Sequence, residues 1–161
     1  MSETGDKVRR ISKIIETNMK KRHFNNELGL ELEDFDDEYG AVPIASFLYE
    51  MKEHHLNNYD SIHGGIVASI FDVAMGIGSA ALSNSMVTTT DMSFTFLRPA
   101  RGKKFRVIVE YGRVGQNIVN CTAKLFALAE KLDEEDVLCS TAMGNYFILG
   151  IPIERAGEIS K

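Results

Sequence analysis

The sequence predicts an α+β fold in which a curled antiparallel β-sheet wraps one long buried helix, and three observations lead there. Residues 63–82 form a run in which nearly every side chain is apolar or small, and a helix that is hydrophobic all round must be covered all round. Four long apolar segments follow, at 87–97, 105–114, 118–130 and 137–149, separated by short turns; consecutive strands joined by short turns pair antiparallel. The chain has 161 residues, enough for one core, so the sheet and the helix must share it.

Each element has its own signal. Val8, Ile11, Ile14, Ile15 and Met19 recur at helical spacing between charged residues, which predicts an amphipathic helix over residues 6–22 packed on the outside of the domain. Leu28, Leu30 and Leu32 alternate with Gly29, Glu31 and Glu33, the pattern of a short half-buried strand, and the acidic run Asp34 to Glu38 reads as the turn after it. A second strand spans 42–50, with Pro43 near its start or on an edge. The polar stretch 52–61 is a loop leading into the apolar helix, and a break at 83–86 ends that helix. The last four segments read as a meander. Two units result: residues 1–23 as the N-terminal amphipathic helix and residues 24–161 as one domain.

Composition narrows the function. An apolar fraction of 44% and a charged fraction of 25% are those of an ordinary globular protein. A net charge of −5, with only short basic groups, gives no electrostatic footprint for nucleic acid. The charged N-terminus leaves no room for a secretory apolar region, so a cytoplasmic protein is expected. Cys121 and Cys139 fit no metal-ligand spacing and are expected to be free, packed thiols. The stretch 65–82 reaches the lower length for a membrane span, but Asp72 near its middle argues against one.

Chemistry concentrates around Asp72. It is the only acid in the apolar helix; burying a charge is costly, and buried carboxylates are common among general bases and nucleophiles. Ahead of it stand Asn57 and the triplet His63-Gly64-Gly65. The glycines fall at a helix N-terminus, where amide N–H groups lack intrahelical partners and the dipole is positive. Such amides can hold a developing oxyanion. Asp72 lies about 12 Å along the helix axis from Gly64, too far for one copy to serve both ends of a reacting group, which points to a site shared between two subunits. Asn57 either reaches substrate or makes an Asx-turn. Gly76 to Ala81 matches a loose dinucleotide pattern, but inside a helix rather than between a strand and a helix. His54 and His55 are adjacent, and no His-x-x-x-His pair exists, so no metal is expected.

The segment from Asn57 through His63-Gly64-Gly65 to Asp72, with Thr88-Thr89-Thr90-Asp91-Met92-Ser93-Phe94 and the turn Phe96-Leu97-Arg98-Pro99-Ala100-Arg101-Gly102, resembles the hotdog-fold acyl-CoA thioesterases of the phenylacetic-acid-degradation (PaaI-type) family over about residues 28–149. That resemblance implies hydrolysis of an acyl-CoA thioester to a free acid and CoA without a cofactor. It gives Asp72 as general base or nucleophile, Gly64 N–H of the neighbouring subunit as oxyanion donor, and Asn57 as a residue positioning water or substrate. His63 would brace the loop. Thr89 stands where some relatives use a serine to hold the attacking water, whereas Gly76 leaves vacant the place where others carry a second polar residue. Gly65, Ile66, Phe71 and Met75 are expected beside the acyl group, and Arg98, Arg101 and Lys103 near the CoA phosphates. The resemblance also implies a homodimer with the site at its interface, commonly paired again into a homotetramer. The rival readings are a non-catalytic acyl-CoA-binding protein and an enoyl-CoA hydratase or dehydratase.

Overall fold

The computed structural model describes residues 9, 11–14, 24–37, 42–131 and 133–155. Its elements are a short helix α1 (Phe24–Leu28), strands β1 (Glu31–Asp36) and β2 (Ile44–Glu50), the long helix α2 (Gly64–Ser83), and strands β3 (Val87–Phe96), β4 (Lys104–Val114), β5 (Ile118–Ala127) and β6 (Val137–Ile148). All strand pairs are antiparallel, in the order β1-β2-β4-β5-β6-β3. The sheet curls so that β3, β4, β5 and β6 all touch α2.

The alternation of β4 and β5 explains the wrap. Phe105, Val107, Val109 and Tyr111 on β4, and Val119, Cys121, Ala123 and Leu125 on β5, are buried against α2, as a period of two requires of a strand with one covered face. From the helix Val67, Ile70, Phe71, Ala74 and Met75 meet them. Side chains of this size each contribute about 1.5–3 kcal/mol on full burial. Tyr111 lies across Gly78, and its hydroxyl donates to the Ala74 carbonyl at 2.8 Å. A Cβ on Gly78 would fall 2.0 Å from the Tyr111 ring carbon Cζ, so a glycine is required there. The loose dinucleotide pattern is therefore a packing feature. By length and mean hydropathy α2 is able to cross a membrane, but 61% of its apolar window is buried inside this fold.

Three expectations need correction. The strand expected at 28–32 begins instead at Glu31, because Leu28 closes α1 and Gly29, at φ 71°, makes the left-handed residue that ends it. The acids Asp34 and Asp36 consequently lie in β1 rather than in a turn, with Phe35 pointing into the core between them. The last four strands are not a simple meander, since β3 pairs with β6 and β4 sits between β2 and β5. The connection at 97–103 carries the chain across three strand spacings, about 14 Å, within the reach of seven extended residues at about 3.3 Å each. Of the predicted N-terminal helix, residues 11–14 are helical, with Ile11 wholly buried and Lys13 exposed, the pattern of an amphipathic face laid on the domain; most of its remaining span lies outside the described residues. Cys121 and Cys139 are free and buried, and burial pushes the Cys121 thiol up to about 11.

Candidate active site

The N-terminus of α2 is built by His63. It caps the helix at φ −59° and ψ 136°, and its Nδ1 accepts the Gly65 N–H at 3.0 Å. The His63 carbonyl accepts from Ile66 and Val67 at 2.9 and 3.1 Å. Of the first-turn amides, only that of Gly64 is left without an acceptor among the described residues. Gly64 lines a cavity of about 510 Å³ with Asn57, Phe96, Arg98, Arg101 and Ser140. The Phe96 ring lies over Gly64, where an added Cβ would come within 3.1 Å of it.

The loop before the helix is held by Asn57. Its Oδ1 accepts the Tyr59 N–H at 2.8 Å, an Asx-turn, and the Ser61 N–H at 3.3 Å, while its Nδ2 donates to Ser61 Oγ at 2.9 Å. Asn57 thus stands in the cavity wall with its side-chain oxygen committed to the loop. Arg98 and Arg101 turn one guanidinium N–H each to the carbonyls of Leu138 and Tyr59 at 3.1 Å.

Asp72 faces a second cavity, of about 310 Å³. Its Oδ1 accepts from Thr89 Oγ1 at 2.6 Å and from the Tyr146 hydroxyl at 3.1 Å; Tyr146 also lies 3.0 Å from the Asp72 carbonyl. Oδ2 has no partner among the described residues. Burial and the adjacent carboxylate push the Tyr146 phenol well above its ordinary range, so it remains a neutral donor. Asp72 was expected to be buried; in the single chain it is half-buried, because its face of α2 opens to the cavity instead of the sheet.

The two cavities share no wall residue that joins Gly64 to Asp72: Gly64 belongs to the first and Asp72 to the second. The structure brings Thr89 to Asp72, and Asn57, Arg98 and Arg101 to the cavity of Gly64. It keeps Lys103 out of both. Phe71 and Met75, expected beside the acyl group, are wholly buried on the sheet side of α2. Gly65 spends its N–H on His63 and its carbonyl on Ser69, and Ile66 packs partly against the core.

Sequence reasoning missed two residues. Tyr146 lies on the inward face of β6 with Ala142 and Gly144, a period-two signal that was available but marks any core aromatic equally. Ser140, on the same face, carries a hydroxyl with no partner, the one such buried side-chain atom among the described residues. The fold also brings Glu27 against the adjacent histidines, with ligand atoms of Glu27, His54 and His55 within 4.8 Å of one another. His54 is paired with Glu27 at 3.0 Å and His55 Nδ1 with the Tyr49 hydroxyl at 2.6 Å, so these contacts tie the loop to α1.

A sheet curled around one central helix, with an open helix N-terminus and a clamped carboxylate two turns on, is the architecture of the hotdog fold. Residues 59–133 match the Thioesterase superfamily family model. The medium/long-chain acyl-CoA thioesterase YigI of Escherichia coli K12 is 26% identical over 142 residues, covering 78% of this chain and 84% of that protein. Among solved structures, PaaI from the phenylacetic acid degradation operon of E. coli aligns at TM-score 0.75 with 16% identity, over 94% of this chain and 99% of that one. Zebrafish thioesterase superfamily member 2 aligns at 0.71 with 16% identity, over 86% and 95%. The chain thus has the hotdog fold, and over residues 59–133 it is similar to the Thioesterase superfamily.

Proposed function

We propose that this protein hydrolyses acyl-CoA thioesters, using Asp72 of one subunit and Gly64 of another. The observation that carries the reading is the asymmetric clamp on Asp72: two hydroxyls hold Oδ1 and leave Oδ2 open to the cavity. A carboxylate fixed in this way orients one oxygen toward a water without spending that oxygen on the protein. Oδ2 takes the proton from water as the water attacks the thioester carbonyl; the carbonyl oxygen gains charge, and the collapsing intermediate expels CoA as the thiolate, which is then protonated. Gly64 N–H receives the developing oxyanion at the positive end of α2. The unpartnered Ser140 hydroxyl in the same cavity is available to that oxygen or to a water beside it. Arg98 and Arg101 at the rim meet the CoA phosphates. His63 acts through the loop, since its Nδ1 is spent as the helix cap.

Subunit sharing follows from the separation of the two half-sites, and the edge strand β3 supports a means of achieving it. β3 pairs on one side only, with β6, and along its length it is exposed. Phe94 and Phe96 on it, Leu97 just past its end, and Met143 and Phe147 on β6 are exposed large apolar side chains. An exposed ten-residue edge with apolar neighbours is a template for pairing with another chain. A second copy docked there forms the homodimer.

CoA release from straight-chain and aromatic acyl-CoA thioesters, with Asp72→Asn measured beside the parent, tests the assignment. Turnover by the parent and its loss in the variant is the expected result. Tight acyl-CoA binding without turnover by either protein replaces the hydrolase with a binding protein.

A further inference from the structure

We propose that the groove beside Asp72 is a ruler for straight acyl chains, with Ile153 of the C-terminal segment as its stop. This rests on the thioesterase reading above. The cavity containing Asp72 is polar only around that carboxylate, Thr89, Tyr146 and Asn25; otherwise its wall is apolar. Along α2 it follows one face, from Asp72 through Gly76 to Ala80. Gly76 and Ala80 are the smallest side chains available, which lowers the floor of the groove. Eight residues of helix rise about 12 Å. An extended alkyl chain advances about 1.25 Å per carbon at ordinary C–C lengths and angles, so the groove matches a chain of about nine or ten carbons. Its apolar course along one face of the helix suits a linear chain.

The far end is closed by a fixed object. The segment bearing Ile153 is tied to the start of β3: Leu149 N–H donates to the Met86 carbonyl at 2.9 Å, Met86 N–H to the Ile151 carbonyl at 2.7 Å, and Ser85 Oγ to the same carbonyl at 3.2 Å. These bonds hold the short 3-10 turn Ile153–Arg155 against the C-terminal end of α2, where Ala80 and Met86 line the groove. Ile14, one turn after the wholly buried Ile11, lines the same groove. Both isoleucines lie outside the segment 59–133 that matches the superfamily.

The experiment is the kcat/KM profile over straight-chain acyl-CoA thioesters from butanoyl to hexadecanoyl, with phenylacetyl-CoA alongside, for the parent, Ile153→Ala and Ala80→Leu. The parent is expected to peak at octanoyl to decanoyl. Ile153→Ala, at the surface end of the groove, should raise the ratio of dodecanoyl to octanoyl by at least about tenfold, the lower range for a pocket gaining or losing a methylene. Ala80→Leu should lower the ratio of decanoyl to butanoyl by a similar factor. Parent turnover with parallel profiles in both variants, or with phenylacetyl preferred, overturns the ruler and leaves the hydrolase standing. A parent that cleaves none of the thioesters removes the hydrolase reading, and the ruler with it.

Discussion

At the scale of single residues, the proposed chemistry rests on one carboxylate and its two hydroxyl donors. Asp72→Asn keeps shape and hydrogen-bonding capacity but cannot take a proton, so turnover should fall by at least about 10²-fold, the lower range for a general base; near-normal kcat would remove Asp72 from the mechanism. Thr89→Val keeps the shape and deletes the shorter of the two bonds to Oδ1. Hydrogen bonds to charged groups are worth about 1.5–3 kcal/mol, so kcat should drop by roughly tenfold or more with little change in KM, and an unchanged kcat would make that bond incidental. His55 supplies a different test. Burial, and then the nearby His54 and Lys52, hold its imidazole below the ordinary histidine range. The folded state therefore binds fewer protons than the unfolded chain. The stability from neutral His55 is complete above about pH 6.5 and is lost as pH falls through the depressed folded value. Thermal melts should show Tm falling across that acidic window, more steeply for the parent than for His55→Asn; equal slopes would exclude the linkage. Asp72, Gly64 and Thr89 were legible as a motif. Tyr146 and Ser140 were not, because in an alternating strand an inward tyrosine or serine looks like any other core position until its neighbours are known.

At the scale of elements, α2 was readable to within a residue of each end, since the two glycines after His63 and the uninterrupted apolar run leave few alternatives. Its phase was not readable. A helix apolar on all sides gives no moment to say which side meets the sheet, and this is why Phe71 and Met75 were placed beside the substrate when they belong to the core. The structure sets the phase through Gly78, pressed under Tyr111, and Gly76, open to the groove. The two glycines should therefore respond differently to alanine. Each substitution gains up to about 1 kcal/mol of helix propensity. At Gly76 the added Cβ meets the Tyr146 ring at 3.3 Å, a few tenths of an ångström too close, and the two effects should roughly offset. At Gly78 the added atom overlaps a fully buried tyrosine, and overpacking of this kind costs about 1–3 kcal/mol or more. Urea unfolding should show Gly78→Ala clearly destabilised and Gly76→Ala close to the parent. Equal midpoints would mean that the core under Tyr111 yields. The position of β3 was equally hidden: its own alternation says that it is a strand, but its place at the edge depends on β6 pairing with it on one side and β5 on the other.

At the scale of the whole molecule, the separation of Gly64 from Asp72 ties the proposed site to assembly, because under that proposal neither half-site acts without the other. Two variants that each destroy one half-site should complement. Gly64→Pro deletes the open N–H at the first helical position, where proline is well tolerated, and His63 at φ −59° and ψ 136° already has the backbone that a following proline requires. The atom that would crowd the new side chain is the tip of the Phe96 ring, a side chain rather than backbone. Alone, Gly64→Pro should lose about 10²–10³-fold in kcat, the effect of removing an oxyanion donor, and Asp72→Asn should be similarly inactive. In a mixed dimer, one site unites the intact Gly64 of the Asp72→Asn subunit with the intact Asp72 of the Gly64→Pro subunit, while the other site carries both defects. Random exchange of subunits makes half the dimers mixed, with one working site of two, so activity should return to about a quarter of the parent's in a two-fold symmetric assembly. Co-expression of the two variants followed by a CoA-release assay measures this directly. Recovery near a quarter establishes the shared site and the dimer together. A mixture no more active than its components would place Gly64 and Asp72 in separate roles and return the search for the oxyanion donor to the neighbourhood of Asp72 itself.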